Sequence, residues 1–434
     1  MAKTLLILFL LVQTFISVGQ IKTLQFVTTD IDNFWNAYDK INSTTDSTLQ
    51  YKYLRQLYLD KGTQGLKNLI EARGYTEDEF IKWTTKYPNF WKSLKPNTLS
   101  AKDIFPKIES NIKKLNSIYP NLKYYPIYFS VGAFGTNGTI LNGTVLIGTE
   151  LSLADSTTII DELPEWIKNY YKVNNPRKDL PLLCTHEYVH TQQKEMVYNL
   201  LSQCLYEGVA EFVSCKATGE KSTAPAIEYG KANTKIVVDK YIVDMFTGHK
   251  NSNWLWGDNT NELKVRDLGY YIGYEICERY YNLSKDKLKA IKELIELDYT
   301  NEKEVEKIIE STKLFPKNLN NLYKDYDKQR PTVVSITQFK NGSKNVKPGL
   351  TKITINFSKS LSKQKTSIDY GPLGENNFPK INRETRIFSD DGKSWTFEAE
   401  LLPNKRYQIL IQNNFQLING VGIKEYLIDF ITTK

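Results

Sequence analysis

The residues best suited to chemistry lie in the stretch Cys184-Thr185-His186-Glu187-Tyr188-Val189-His190. Residues 182–201 contain no proline or glycine and have apolar residues on both sides of this motif, which favours a helix. On a helix, residues four apart share a face and lie about 6 Å apart along the axis. His186 and His190 can therefore hold one metal ion, while Glu187 lies beside it. This arrangement is typical of zinc peptidases, in which the carboxylate takes a proton from the attacking water.

The alternative is a pair of histidines packed into a core helix, because so short a motif also recurs by chance. Two features favour a metal site. The chain has only three histidines, and two of them have the required spacing. A second helical pattern over residues 205–212 places Glu207 and Glu211 on one face. Glu207 can complete a His₂Glu ligand set for Zn²⁺ with one open position, and Glu211 can accept the second ring N–H of a ligating histidine.

The residues after the motif indicate its subclass. The metzincin pattern continues with a glycine and a third histidine, but Gln193 and Met196 occupy those positions. The block Glu207-Gly208-Val209-Ala210-Glu211 is instead typical of gluzincins. With these two blocks the chain resembles a family of bacterial predicted zinc-dependent proteases. The resemblance runs from about Asp30 to Lys324 and also includes Asp30-Ile31-Asp32-Asn33-Phe34-Trp35, the glycine-rich run from Val131 to Glu150, and Gly269-Tyr270-Tyr271-Ile272-Gly273-Tyr274.

The resemblance implies zinc ligands His186, His190 and Glu207, with Glu187 as the general base. Peptide hydrolysis also needs a donor for the oxyanion of the tetrahedral intermediate, and gluzincins typically use a tyrosine or histidine. Tyr270 and Tyr274 are four residues apart, and a glycine precedes each of them. Tyr270 is the first candidate, Tyr274 the second and His249 the third. The alternative is that these tyrosines only pack within a helix.

Composition narrows the classes of protein. The length of 434 residues predicts more than one domain, and 41% hydrophobic with 12% aromatic residues is enough for a core. The net charge of +8 is spread along the chain without a basic stripe. Nucleic acid is therefore not an expected partner.

Residues 1–20 are typical of a secretory signal. Lys3 precedes an apolar run from Leu5 to Val12, and Ser17-Val18-Gly19 offers small residues for cleavage. The apolar run is too short to span a bilayer, no later segment is apolar enough to do so, and no cysteine near the cut would carry a lipid. The mature chain is expected to be exported without a transmembrane segment, to a periplasmic or extracellular location.

Four cysteines, Cys184, Cys204, Cys215 and Cys277, lie in apolar helical contexts. Export permits disulfides. Buried thiols and a bridge such as Cys204–Cys215 are both compatible with the sequence. None of the four has a catalytic partner.

Helical periodicity predicts helices through residues 26–119, with breaks at Gly62, Gly74, Pro88 and Pro96. From Pro120 the composition predicts two or three strands within residues 120–153.

A strand edge beside the zinc helix can pair with an extended substrate backbone. The candidates are residues 132–134 and 145–149, and a purely structural hairpin is an equal alternative. Helices resume at residue 156 and continue to 325, with single helices predicted over residues 226–246 and 268–281.

From Thr332 the chain alternates apolar and polar residues, with turns at Asn341-Gly342 and Asp391-Gly392, which predicts a β-sandwich. This part resembles a bacterial Ig-like domain. The residues that carry the resemblance are Pro331-Thr332-Val333-Val334-Ser335, Ile355-Asn356-Phe357-Ser358, Leu402-Pro403-Asn404-Lys405-Arg406-Tyr407 and Phe430-Ile431-Thr432-Thr433. It contains no histidine, so no chemistry is assigned to it; contact with a surface or glycan and a role as a spacer are both open.

The sequence therefore predicts an α+β fold. A mostly helical, zincin-like (gluzincin) protease domain over residues 21–326, with a small sheet, precedes an all-β Ig-like sandwich over 331–434. The predicted function is that of an exported zinc metallopeptidase acting on peptide or protein substrates. The alternative is a cell-surface or periplasmic binding or adhesion protein with a structural or vestigial zinc site. Glu187 favours the enzyme, because a structural site needs its ligands but not a water-activating carboxylate.

Overall fold

A computed structural model describes residues 23–247, 251–257 and 262–434 of the chain. The predicted signal over residues 1–20 and the candidate His249 lie outside these residues. The chain divides into two compact units, and the division between residues 326 and 331 stays a prediction. The first unit comprises residues up to Lys194, Ala210–Thr223 and Leu288–Glu296; the second comprises Glu195–Val209, Ala224–Lys287 and Leu297–Lys434.

Up to residue 194 the chain forms helices around a small sheet. Local signals fix many boundaries: Thr76 and Glu79 form a capping box, and Gly74 ends the preceding helix at a φ of 64°. A predicted break is wrong at Pro96, which lies inside a helix. The elements are β1 (Phe26–Val27), α1 (Thr29–Ile41), α2 (Ser47–Leu54), a π-helical turn (Arg55–Leu59), α3 (Gln64–Arg73), α4 (Glu77–Lys86), α5 (Pro88–Leu99), a 3₁₀ turn (Ala101–Ile104), α6 (Phe105–Ile118), β2 (Ile127–Ser130), β3 (Gly138–Leu141), β4 (Thr144–Gly148), α7 (Thr149–Ser152), α8 (Glu165–Val173) and α9 (Pro176–His190).

The sheet of the first unit has the order β1-β2-β4-β3 among the described residues. Strands β1, β2 and β4 are parallel, and β3 is antiparallel to β4. Two sequence-based expectations for the substrate edge are therefore wrong. Residues 145–148 belong to β4, which is buried between two strands, and residues 132–134 lie in the loop after β2. β3 is one edge strand of this sheet, and β1 is the other.

Aromatic side chains of the N-terminal helices pack in the core. The ring centroids of Phe34 and Trp91 are 4.9 Å apart, and those of Phe34 and Tyr58 are 5.5 Å apart. These rings are almost completely buried. These ring contacts therefore stabilise the packing of the helices.

The described residues between 195 and 330 form helices joined by loops. The predicted single helix over 226–246 is wrong, because Asn233 separates two helices. The elements are α10 (Leu200–Thr218), α11 (Pro225–Ala232), α12 (Thr234–Asp244), a 3₁₀ turn (Asn251–Asn253), α13 (Leu268–Leu283), α14 (Lys287–Ile295), α15 (Glu302–Ser311) and α16 (Leu319–Gln329).

From Pro331 onward the chain forms strands, with a 3₁₀ turn at Glu375–Asn377. The described residues form two sheets, with the orders β5-β6-β9-β8 and β11-β10-β7. Side chains of both sheets, among them Ile355, Phe397 and Ile409, share one buried core. The strands are β5 (Val333–Ile336), β6 (Gly349–Phe357), β7 (Ile368–Asp369), β8 (Lys380–Phe388), β9 (Ser394–Leu401), β10 (Arg406–Ile411) and β11 (Tyr426–Ile431).

The fold is thus mixed: helices with a small sheet, followed by a C-terminal all-β region. Among the described residues, no helix has both the length and the apolar composition needed to cross a bilayer.

Candidate metal centre

His186 and His190 lie in the last turns of α9. Pro176 occupies the first turn of this helix, and the Asn175 side chain accepts a hydrogen bond from the Lys178 N–H. The helix ends at His190, although the sequence predicts a helical run to residue 201. The next helix begins only at Leu200. The motif therefore lies at a helix end followed by a loop.

The ring nitrogens of the two histidines are oriented by different partners. His186 Nδ1 lies 2.9 Å from Glu211 Oε2, and His190 Nδ1 lies 2.6 Å from Gln193 Oε1. A carboxylate and an amide oxygen can only accept, so each Nδ1 carries the proton and donates it. Each Nε2 is then an unprotonated lone pair, which is the atom that binds metal.

The two Nε2 atoms face each other at 3.0 Å. Both Nε2 atoms therefore point toward one position in a buried site. A cation at this position could be bound by both nitrogens. Two nitrogens bound to tetrahedral Zn²⁺ at ~2.1 Å are about 3.4 Å apart, a few tenths of an ångström more than the observed separation.

Glu207 supplies the third candidate ligand. It lies on α10 one helical turn before Glu211, whose carboxylate accepts from His186. Ligand atoms of His186, His190 and Glu207 all lie within 4.8 Å of one another, and all three residues are buried. Two imidazoles and a carboxylate form the donor set of catalytic zinc sites that keep one position open. The residues present therefore fit Zn²⁺.

Glu187 faces the edge strand of the sheet. A methyl group on Gly138, the first residue of β3, would lie 3.0 Å from Glu187 Oε1. Glu187 itself is 7% exposed. Its carboxylate thus lies against the first residue of β3, and Glu187 belongs to the helix that carries both candidate histidine ligands.

Tyr270 and Glu207 are in contact. The Tyr270 hydroxyl is hydrogen-bonded to the Glu207 carboxylate, and it also accepts from Trp256 Nε1 at 3.2 Å. Loss of hydration and then the charge of Glu207 raise the pKa of Tyr270 well above its ordinary value, so the phenol stays protonated and can donate. Tyr274, one turn later, is buried, with Lys231 Nζ 4.8 Å from its ring centroid.

A pair of glycines explains this contact. A methyl group on Gly273 would lie 1.8 Å from the Cys204 carbonyl oxygen, and one on Gly208 would lie 2.1 Å from the Gly273 carbonyl carbon. Helices α10 and α13 therefore cross with their backbones touching, which only glycine permits. The close crossing brings Tyr270 to Glu207.

The sequence analysis missed two residues that position the site. Gln193, which orients His190, was used there only to exclude another subclass; a polar residue three positions after a ligating histidine is the signal for it. Glu150 was named only as the end of a glycine-rich run. An acidic residue directly after a strand as apolar as β4 could have identified it.

Glu150 holds the loop that leads into β3. Its fully buried carboxylate accepts the N–H groups of Gly132 and Phe134 at 2.8 and 2.9 Å, and the Tyr171 hydroxyl donates to its backbone oxygen at 2.7 Å. Phe134 has a φ of 60°, which is strained for this residue and is held by that bond. Burial raises the pKa of Glu150 to about 7, against the opposing effect of the two N–H donors.

The buried carboxyl group of Glu150 should make the free energy of unfolding depend on pH. The folded carboxyl binds its proton up to a pKa of about 7, whereas the unfolded one releases it near 4.5. The folded state thus holds more protons in this interval, and the free energy of unfolding should fall by up to about 3 kcal/mol as the pH rises through it. Glu150→Gln should remove this slope in urea unfolding curves. Glu71→Gln, at an exposed position on α3, should retain it, and an unchanged slope in Glu150→Gln would contradict the assignment.

All four cysteines are buried and free. The bridge considered between Cys204 and Cys215 does not form. Burial raises the pKa of Cys204 to about 12 and that of Cys184 well above its ordinary value. These thiols therefore pack as apolar groups.

Comparison with known proteins points to one class. A family model described as "Predicted Zn-dependent protease (DUF2268)" matches residues 159–301, about a third of the chain. The matched segment contains both histidines, Glu187, Glu207 and Tyr270. The name of the family implies dependence on zinc, and the buried His186-His190-Glu207 set could hold that ion.

Comparisons with curated sequences and with solved structures give no further information on function. No curated protein sequence matches the chain. Two structures of an S-layer protein, rSbsC(31-844) and SbsC domains 1–6, each match at 11% identity over 94% of this chain, with TM-scores of 0.18 and 0.19. The chain spans 45% of the length of each. At these TM-scores the likeness carries no conclusion on fold or function.

Proposed function

We propose that this chain is an exported zinc-dependent metallopeptidase that hydrolyses peptide bonds. The observation that carries the proposal is the pair of imidazoles whose Nε2 atoms face each other at 3.0 Å while both Nδ1 atoms donate elsewhere. Glu207 completes the ligand set, and the family match over residues 159–301 supports the same class.

In the proposed mechanism, His186, His190 and Glu207 hold Zn²⁺, which when bound polarises a carbonyl and lowers the pKa of water. Glu187 accepts a proton from the attacking water and passes it to the nitrogen of the leaving amine. Glu211 and Gln193 keep both rings in the correct tautomer. The Tyr270 hydroxyl donates to the developing oxyanion. Tyr274 remains the second candidate for that role.

The substrate backbone is proposed to lie along β3. This strand is paired with β4 on one side only, and its first residue lies against Glu187. An extended peptide can add to such an edge through main-chain hydrogen bonds, which bind without requiring a particular sequence. Peptide or protein substrates in an extended conformation follow from this arrangement.

We propose a zincin-like fold for residues 21–326 and an Ig-like fold for residues 331–434. The Ig-like proposal is supported by two sheets around one core and by Tyr407. Tyr407 lies near the start of β10, and its hydroxyl accepts the Leu402 N–H at 2.8 Å. This resembles the tyrosine corner of immunoglobulin-type sandwiches. Export and a surface-binding or spacer role for this domain are likewise proposals that rest on the sequence.

Removal of the metal tests the proposed function. The purified chain should cleave unfolded casein, lose this activity after dialysis against 1,10-phenanthroline, and regain it when zinc is added. Zinc bound to the folded state should also raise the unfolding temperature, since a ligand that binds only that state stabilises it. Chelator-resistant cleavage, or a zinc-loaded chain that cleaves no unfolded protein, would contradict the proposal and favour a binding role.

A further inference from the structure

Arg73, the last residue of α3, extends its guanidinium to the start of β3. Its Nη2 donates to Thr136 Oγ1 at 3.0 Å and lies 3.5 Å from the Gly138 carbonyl oxygen. Gly138 is the first residue of β3, and the Glu187 carboxylate lies against its side-chain position. One residue of the strand therefore has a cation and the candidate general base as neighbours.

The Gly138 carbonyl faces the side of β3 that pairs with no strand among the described residues. The Gly148 N–H donates to the Asn137 carbonyl at 3.2 Å, so this pair carries hydrogen bonds of the ladder with β4. In an antiparallel pair, successive residues alternate between bonding to the partner strand and pointing away from it. Gly138 and Ile140 therefore direct their N–H and C=O groups away from β4. Arg73 lies at this edge, where the substrate backbone is proposed to add.

Arg73 and Glu187 reach the edge from opposite faces of the sheet. Asn68, on α3, donates to Thr144 Oγ1 on β4 at 3.0 Å, so α3 covers the face to which Thr144 points. The residue paired with Thr144 lies three positions after Gly138, and side chains alternate between faces along a strand. The Gly138 position, with Glu187 against it, therefore belongs to the other face. A peptide added at this edge would direct alternate side chains toward α3 and toward Glu187.

The guanidinium is also close to the proposed reaction. Arg73 Nη2 lies 3.5 Å from the Gly138 carbonyl oxygen, and Glu187 Oε1 lies 3.0 Å from the Gly138 side-chain position. With ordinary backbone dimensions, the two charged groups are at most about 10 Å apart. A strand advances about 3.3 Å per residue, so this distance spans no more than about three residues of an extended peptide.

The charge of Arg73 is available to an anion. Arg73 is exposed, and among the described residues its hydrogen-bond partners are a hydroxyl and a carbonyl rather than a carboxylate. Both bonds come from Nη2, whereas a guanidinium has five N–H groups. The buried carboxylate of the neighbouring loop, Glu150, already accepts the N–H groups of Gly132 and Phe134. A substrate carboxylate at this edge could therefore accept two parallel N–H bonds from Arg73.

We propose that Arg73 binds a carboxylate of the substrate, so that the enzyme prefers peptides with an acidic group within three residues of the cleaved bond. The inference rests on the proposed peptidase function and on the addition of the substrate to β3. Because Arg73 reaches the edge from the α3 face, the acidic side chain would point to α3, away from Glu187. The carboxylate can belong to an aspartate, to a glutamate or to the C-terminus of the peptide.

Matched peptides test the inference. One quenched fluorescent sequence is prepared with glutamate or glutamine at each of the three positions on either side of the cleaved bond, and with a free or amidated C-terminus. At one position, or for the free C-terminus, kcat/KM should be about fivefold higher for the acidic peptide. This preference should decrease between about 0.05 and 0.5 M salt, because exposed ion pairs are screened.

Variants of Arg73 assign the preference to this side chain. Arg73→Gln should bring the ratio of the two kcat/KM values close to one, and Arg73→Glu should invert it in favour of a lysine peptide. Arg73→Lys should retain part of the preference, because it keeps the charge but not the paired N–H groups. Lys67→Gln, which removes a positive charge at an exposed position on the same helix, should leave the ratio unchanged.

The ratio distinguishes recognition from a structural role. A variant that only disturbs the loop before β3 would lower kcat/KM for both peptides equally. Equal kcat/KM for every matched pair in the wild type would overturn the inference. A wild-type ratio that survives in Arg73→Gln and Arg73→Glu would do the same.

Binding separates this inference from the proposed activity. The anisotropy of fluorescein-labelled peptides on the full chain should show the same preference for the acidic member in wild type and in Glu187→Gln, and its loss in Arg73→Gln. Preferential binding without hydrolysis would refute the peptidase proposal but keep the role of Arg73. Hydrolysis without any acidic preference would do the reverse, and the absence of both binding and hydrolysis would refute both.

Discussion

Replacing Glu187 with glutamine is expected to lower kcat/KM for peptide hydrolysis by about 10²- to 10⁴-fold, the usual contribution of a general base. Glutamine has the same shape, so the contact with Gly138 stays intact, but its amide cannot accept a proton from water. Zinc content should remain that of the wild type, because Glu187 is not among the three candidate ligands. Initial rates and metal analysis of the same preparation measure both quantities.

The matched control is Glu195→Gln, which makes the same chemical change at an exposed position in the loop after α9. It should retain full activity. If Glu187→Gln were as active as this control, Glu187 would have no part in the mechanism. If Glu187→Gln lost zinc, its role would be that of a ligand instead.

Replacing Glu207 with glutamine should have the largest effect on metal binding. The change removes the only anionic member of the His186-His190-Glu207 set and replaces it with a neutral amide, a poor ligand for zinc. Loss of a residue that is hydrogen-bonded to a metal ligand typically lowers metal affinity about 10- to 100-fold. We expect the loss of Glu207 to lower the affinity for zinc by more than that. Competition with a chromophoric zinc chelator measures the affinity.

Glu211→Gln provides the graded comparison, because Glu211 contacts His186 Nδ1 rather than the ion site. Its zinc affinity should lie between that of wild type and that of Glu207→Gln. The zinc-dependent rise in unfolding free energy, about 4 kcal/mol at a thousandfold excess over Kd in the wild type, should follow the same order. Wild-type affinity in Glu207→Gln would exclude it as a ligand.

The parts of the site that depend on helical spacing could be predicted from the sequence. His186 and His190, and likewise Glu207 and Glu211, are pairs four residues apart, and that spacing fixes their common face without knowledge of the rest of the fold. The sequence analysis left the cysteine pairing open, and the structure leaves all four thiols free. The catalytic roles of Glu187, Tyr270 and Tyr274 stay predictions.

The parts that depend on contacts between distant segments could not be predicted. Strands β3 and β4 are both short and apolar, and only the sheet order shows that β3, and not β4, lies at an edge. No proline or glycine marks the end of α9; the loop after it is stabilised by Gln192 and Gln193, whose side-chain partners are Lys123 and His190. Such partners are specified by tertiary structure rather than by local propensity.

The buried free thiols have a practical consequence. Cys184, Cys204 and Cys277 lie on α9, α10 and α13, the helices that carry the candidate ligands and Tyr270. Because burial keeps these sulfurs protonated and out of reach, an alkylating reagent can modify them only while a helix is transiently open. The alkylation rate of each cysteine, measured by mass spectrometry, would then report how often its helix opens. This measurement needs no added probe and no change of the native sequence.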